Sequence, residues 1–317
     1  MKKIVFIILL ALILIFLSLV YILIPKKISV VTTRFSNCTL NGAERMILYT
    51  NKWAAWWPGT IERQADSNNL PSFIFKNHIY KPGIVALDNI EVSIIYNDVL
   101  TKTELVIVPT SKDLVELNWL SEEIITSKNP LERIKQYLRA GKVKNDLDSL
   151  LTKLRSFLEN KENIYGVNVN EVRVKDSVLI TTRFTTSLYP STTEIYSAVN
   201  KLRKYITEQN AISNNFPMMH VDQIDSIHYE TMIAIPVNKA LQATDNMVAK
   251  RMVLGNILEA EIKGGEATVR KGMEQLENYK KDHDMESPAI PFALLVTDRS
   301  KEPDSTKWIT RIYYPVY

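Results

Sequence analysis

The chain has 317 residues, enough for two domains at roughly 150 residues each. Hydrophobic residues make up 46% and charged residues 23%, with 9 glycines and 13 prolines, which excludes a mainly disordered, collagen-like or coiled-coil protein. The net charge is +4 and no Lys/Arg run is longer than a pair, so the sequence offers no electrostatic footprint for nucleic acid. A single cysteine, Cys38, excludes an internal disulfide framework and a Cys-rich zinc site. The four histidines, His78, His220, His228 and His283, have no metal-ligand spacing, and neither a metal nor a cofactor is expected.

Residues 4–24 carry no charge over 21 positions, and Ser18 and Tyr21 are their polar members. As a helix this run spans about 30 Å, the hydrocarbon thickness of a bilayer. Lys2 and Lys3 precede it and Pro25, Lys26 and Lys27 stop it. A cleavable signal has a shorter apolar core and a small-x-small site, whereas the exit here is Leu23-Ile24-Pro25-Lys26. Residues 1–27 therefore read as an uncleaved, single-pass anchor in the cytoplasmic membrane, with a cleaved signal as the alternative. The flanking lysines are balanced, and the short amino-terminal tail places residues 28–317 outside the cytoplasm.

Residues 28–35 read as a strand, followed by a helical stretch that ends in Trp53-Ala54-Ala55-Trp56-Trp57-Pro58-Gly59. Trp53, Trp56 and Trp57 stand at i, i+3 and i+4, so they share one helical face. Alternating runs follow at Val92, Ile94 and Tyr96, at Leu105 and Ile107, and at Val115, Leu117 and Trp119, each the pattern of a half-buried antiparallel strand. A helix is predicted to open with Asn129 as N-cap and Pro130 at its first position, and to break near Ala140-Gly141. A second amphipathic helix carries Leu147, Leu150, Leu151, Leu154, Phe157 and Leu158 along one stripe.

Three elements carry a family resemblance: the tryptophan segment after the first strand, the strand Leu114-Val115-Glu116-Leu117-Asn118-Trp119, and the closing helix over 146–159. Residues 28–163 resemble the SRPBCC (START-like, helix-grip) family. The resemblance implies a sheet curled around a long helix, with an apolar cavity for a lipid-like or aromatic ligand. Trp56 and Trp57 then either line that cavity or pack as ordinary core.

The second half, 164–317, contains an internal repeat. Thr231-Met232-Ile233-Ala234-Ile235-Pro236-Val237 and Thr310-Arg311-Ile312-Tyr313-Tyr314-Pro315-Val316 share the pattern T-x-I-x-x-P-V. Upstream of each lies a helical stripe, Ile195, Val199, Leu202 and Ile206 in one copy and Val269, Met273, Leu276 and Tyr279 in the other. Strand-like runs at 178–184, 218–224, 257–263 and 291–297 complete two β-α-β-β units. With Lys263-Gly264-Gly265 and Trp308-Ile309-Thr310, these residues make the segment resemble the gyrase-inhibitor-like (GyrI-like) effector-binding domain. That resemblance implies one curved sheet with both helices on its back, and a ligand groove at the junction of the repeats. The whole chain is thus expected to be α+β: an apolar helix, a helix-grip domain and a duplicated βαββ domain.

Side-chain alternation puts Ile233, Ile235, Ile312 and Tyr314 toward the helices, and Glu230, Met232, Ala234, Arg311 and Tyr313 on the opposite, ligand-facing side. The expected ligand-binding residues are Glu230, Met232, Glu261, Trp308, Arg311 and Tyr313, with Trp56 and Trp57 for the first domain. The family often has a glutamate where Arg311 stands. An arginine there suits a carboxylate or phosphate, unless Glu230 or Glu261 supplies an acid; Arg311 and Glu230 as a solvated cross-strand pair is the plain alternative. Some relatives hydrolyse small electrophiles with a glutamate and a tyrosine or tryptophan, but no spacing here singles out a catalytic set. The expected function is membrane-anchored binding of a small amphipathic or aromatic molecule, with a hydrolase of small electrophiles and a non-enzymatic envelope scaffold as alternatives.

Overall fold

The computed structural model describes residues 2–62, 70–125, 127–175 and 178–317. The chain divides into two units, Met1–Asn160 and Lys161–Tyr317.

The first unit opens with helix α1 (Lys2–Leu23), whose apolar side chains are exposed along almost its whole length. It is long and apolar enough to cross a membrane, a property that signal sequences share. Only its last turn is packed: Val20 and Ile24 join Ile125, with Ile28 and Ile134 against them. Arg133 closes this joint. Its guanidinium donates to the Ile24 carbonyl at 2.6 Å and lies 5.0 Å from the centre of the Tyr21 ring, and the Tyr21 hydroxyl donates to the Lys128 carbonyl. The free carbonyls at the helix end thereby gain a charged donor.

Strand β1 (Lys27–Ser36) leads into α2 (Leu40–Ile47) and a short 3-10 turn, Thr50–Ala55. Then come β2 (Thr60–Glu62), β3 (Ser72–Phe75), β4 (His78–Val85), β5 (Asn89–Tyr96), β6 (Val99–Ser111) and β7 (Leu114–Ile124). They form one antiparallel sheet in the order β1-β7-β6-β5-β4-β3-β2, so the first strand closes beside the last. In β7 the alternation is realised: Val115, Leu117 and Trp119 are buried and their neighbours are not.

Helix α3 (Pro130–Leu158) packs on this sheet. Asn129 caps it by accepting the Leu131 amide at 2.9 Å. The break expected near Ala140-Gly141 is absent: α3 runs unbroken through 29 residues. The buried stripe explains why, because Ala140, Val143, Leu147, Leu150, Leu151, Leu154 and Leu158 continue it across the glycine. One mid-helix glycine costs only about 1 kcal/mol, less than burying a single leucine returns.

The expected helical face of tryptophans is not realised: Trp53 lies in the 3-10 turn, Trp56 caps its end and Trp57 follows it. Trp53, Trp56 and Trp57 are buried against one another and against Phe73, with Trp53 and Trp57 stacked at 5.8 Å. Each indole N–H is satisfied by a carbonyl, those of Ile47, Met46 and Ile74 respectively. Trp56 and Trp57 are thus tightly packed aromatic core, each with its one polar atom paired. Cys38 is buried as well, and burial pushes its thiol up to about 11, so it stays protonated and unreactive at neutral pH.

The second unit starts with α4 (Lys161–Tyr165) and β8 (Asn170–Arg173). Two successive β-α-β-β modules follow. One is β9 (Val178–Thr186), α5 (Thr192–Glu208), β10 (Met218–Gln223) and β11 (Tyr229–Pro236). After β12 (Val248–Arg251) comes the other, β13 (Asn256–Lys263), α6 (Glu266–Asp282), β14 (Phe292–Leu295) and β15 (Ile309–Val316). Eight antiparallel strands are ordered β12-β9-β11-β10-β14-β15-β13-β8, which reads the same from both ends about the β10–β14 pair. The chain is therefore α+β with two antiparallel sheets.

Helices α5 and α6 lie on one face of this sheet. Ile195, Val199, Leu202 and Ile206 pack there with Ile233 and Ile235. In α6, Leu276 and Tyr279 are buried, while Val269 and Met273 line a cavity of about 290 Å³ on the helix side. The turn before α6 needs Gly264, whose φ of +134° is strained for any side chain.

Candidate functional site

On the face away from α5 and α6, Leu179, Met218, Ala234 and Leu294 form a small apolar floor, with Met252, Phe292 and Tyr313 packed on it. These side chains face outward because they alternate with the helix-facing set on the same strands: Met218 with Met219, Ala234 with Ile233 and Ile235, Tyr313 with Ile312. Register brings distant segments together. Met218 pairs with both Ala234 and Leu294, and Phe292 with Tyr313. The last two rings stack at 5.0 Å and 17°.

Two depressions meet over this floor. One, about 300 Å³, is bounded by Arg173, Lys175, Glu259, Arg311 and Tyr313; the other, about 190 Å³, by Met232, Ala234, Lys250, Arg251 and Ile290. Val174, Met218, Met252 and Phe292 line both, so they are compartments of one groove. Its size and apolar base with polar groups at the edge are those of a small-molecule site. Methionine is well suited to such a base, since its unbranched thioether adapts to irregular shapes. Burial, and the Glu259 carboxylate beside it, push the Tyr313 hydroxyl well above its ordinary range. It therefore remains a protonated donor.

Of the eight residues expected from sequence to bind ligand, Met232, Arg311 and Tyr313 line the groove. Glu261 stands opposite Arg311 on β13 and accepts from its Nε at 3.1 Å. Glu230 sits toward the other end of β11 and pairs with Arg183 at 2.9 Å, not with Arg311. Trp308 precedes β15; its indole donates to the Glu302 carbonyl at 2.8 Å, and the buried Arg299 guanidinium lies 4.7 Å from its ring centre. Trp56 and Trp57 belong to the first unit. Residues not anticipated are Met218, Met252, Phe292 and the cations Arg173, Lys175, Lys250 and Arg251. The usable signal was a cluster of methionines, Met218, Met219, Met232 and Met252, next to the Lys250-Arg251 pair.

No group of three or more His, Cys, Asp or Glu side chains arranged to hold a metal ion occurs among the described residues.

No family model matches the chain, and no curated protein matches it. Several solved structures are similar to it. EcmrR in a complex with DNA is 16% identical, with a TM-score of 0.41 over 60% of this chain and 72% of that one. A hydrolase from Listeria innocua is 8% identical, with a TM-score of 0.37 over 47% and 92% of the two chains. SAV2435, bound to tetraphenylphosphonium, is 14% identical, with a TM-score of 0.31 over 47% and 94%.

Proposed function

We propose that the protein is a membrane-anchored binder of a small amphipathic or aromatic molecule, and that the groove on the open face of the second sheet is its binding site. The observation that carries this is the continuity of the two depressions through Met218, Met252 and Phe292 over an apolar floor. Apolar side chains exposed in a concavity favour a ligand that removes them from water, at about 25 cal/mol per Å² buried. The site residues proposed are Met218, Met232, Met252, Phe292, Arg311 and Tyr313. The GyrI-like resemblance of the two T-x-I-x-x-P-V strands, and the apolar α1 as anchor, belong to the same reading.

One feature favours a second, hydrolytic reading: Glu259 and the protonated Tyr313 hydroxyl sit side by side on the groove wall. A carboxylate base and a hydroxyl donor are the pair such a reaction needs. Glu230 and Glu261, by contrast, are exposed and held in ion pairs.

Native mass spectrometry of the full chain, extracted from its membrane in mild detergent, tests the binding reading. A small molecule that leaves on denaturation, and is missing from a Met232→Trp variant whose indole fills the groove, is the expected result. An apo mass for wild type under the gentlest extraction argues against it. Turnover of a small epoxide or ester that Glu259→Gln abolishes would establish hydrolysis instead.

A further inference from the structure

The charges around the groove are one-sided. Among the described residues, five cationic side chains line it, Arg173, Lys175, Lys250, Arg251 and Arg311, against one carboxylate, that of Glu259. Arg173, Lys175 and Arg251 have no ion-pair partner among the described residues. Lys250 leans over the apolar floor, its Nζ 3.6 Å from the Met232 sulfur. The acids that could have served a cationic ligand are committed elsewhere: Glu261 to Arg311, and Glu230 to Arg183 outside the groove.

Unpaired cations along a concave, low-dielectric surface reinforce one another's potential. A cationic ligand would face several like charges with one carboxylate to meet it. An anionic head would find arginine forks and a lysine ammonium with unused donors. Beneath them, methionines and the Phe292–Tyr313 stack would take a flat or flexible apolar body. We infer that the groove selects an anionic amphipath, with the apolar body on the methionine floor and a carboxylate, sulfonate or phosphate held by Arg173, Lys175, Lys250 and Arg251. This rests on the binding reading above and narrows it to one charge class.

The test uses the full chain in a neutral maltoside detergent and two probes that share a ring system. These are 8-anilino-1-naphthalenesulfonate and its uncharged counterpart N-phenyl-1-naphthylamine. Met232→Trp, which blocks the groove, supplies the baseline for uptake by micelles. The sulfonate is expected to bind wild type about 10- to 100-fold more tightly than the neutral probe, the range that one or two charge-assisted hydrogen bonds give. Raising the salt, or combining Arg173→Gln, Lys250→Gln and Arg251→Gln, should remove that advantage of the sulfonate over the neutral probe. Equal groove-dependent affinity for both probes, or tighter binding of a cationic naphthylmethylammonium, overturns the anionic selection while the groove remains a binding site. Signals for both probes that Met232→Trp does not alter overturn both readings. Competition by phosphatidylglycerol vesicles but not phosphatidylcholine vesicles would assign the anion to membrane lipid, and competition by soluble naphthoate alone to a free small molecule; either supports the selection.

Discussion

Gly141 and Gly272 both sit inside long helices, and replacing each by alanine is the same chemical change with an opposite expected sign. Helix propensity favours alanine by about 1 kcal/mol at either position. A Cβ on Gly141 meets nothing within 4 Å, so that gain stands alone. A Cβ on Gly272 would lie 2.7 Å from Cδ1 of Ile262 and 3.1 Å from Cδ1 of Ile312, both buried where α6 presses on β13 and β15. Overfilling a packed core costs about 1–3 kcal/mol. Propensity cancels in the comparison, so the two variants should differ by about 1–3 kcal/mol, with Gly141→Ala the more stable. For units of this size the stabilised variant should gain about 2–4 °C in Tm. Trp53, Trp56, Trp57 and Trp119 report on the first unit and Trp308 on the second, so fluorescence-detected unfolding of wild type and a Trp308→Phe background separates the transitions. Equal shifts for both alanines, or a loss at Gly141, would refute the close approach of α6 and the unbroken course of α3.

The carboxylate of Asp146, buried on α3, is shared by Lys76 and by Nδ1 of His78 at 2.8 Å. Asp146→Asn should cost about 1–3 kcal/mol, less than a stranded buried charge, because Lys76 is half exposed and can turn to water while His78 stays neutral. Burial holds the His78 imidazole below its ordinary range despite Asp146, so the unfolded chain takes up this proton first. Its contribution is therefore intact above about pH 6.5 and is lost as the pH falls below that value. Urea midpoints at pH 8 and pH 5.5 should show the drop, and His78→Gln should flatten it. A wild type that gains stability on acidification would contradict the sign. At the foot of α1, Arg133→Ala removes a charge-assisted hydrogen bond worth about 1.5–3 kcal/mol. Trypsin cleavage after Lys26 or Lys27 should then accelerate about 10- to 100-fold, provided local opening limits it. An unchanged rate would mean that the Val20–Ile24–Ile125 contact holds the joint alone.

Much of the architecture was legible because local pattern and final environment agree. Val115, Leu117 and Trp119 alternate in sequence and are buried in β7, and the leucines of α3 form one stripe and one interface. The repeated T-x-I-x-x-P-V segments became β11 and β15, each burying its threonine fully. The same alternation placed Met232, Arg311 and Tyr313 on the face away from the helices, since a strand can only send successive side chains to opposite sides. Other features depended on partners far along the chain. Gly141 looked like a helix end until the continuous contact of α3 outweighed a small local cost. Arg311 was expected to meet an anionic ligand group or to pair with Glu230, and register set Glu261 opposite it. Three of the five groove cations, Arg173, Lys250 and Arg251, come from the two edge strands β8 and β12, each four residues long. Such segments carry no periodicity of their own. Their positions follow from pairing with β13 and β9, so the charge of the groove exists only once the sheet has formed.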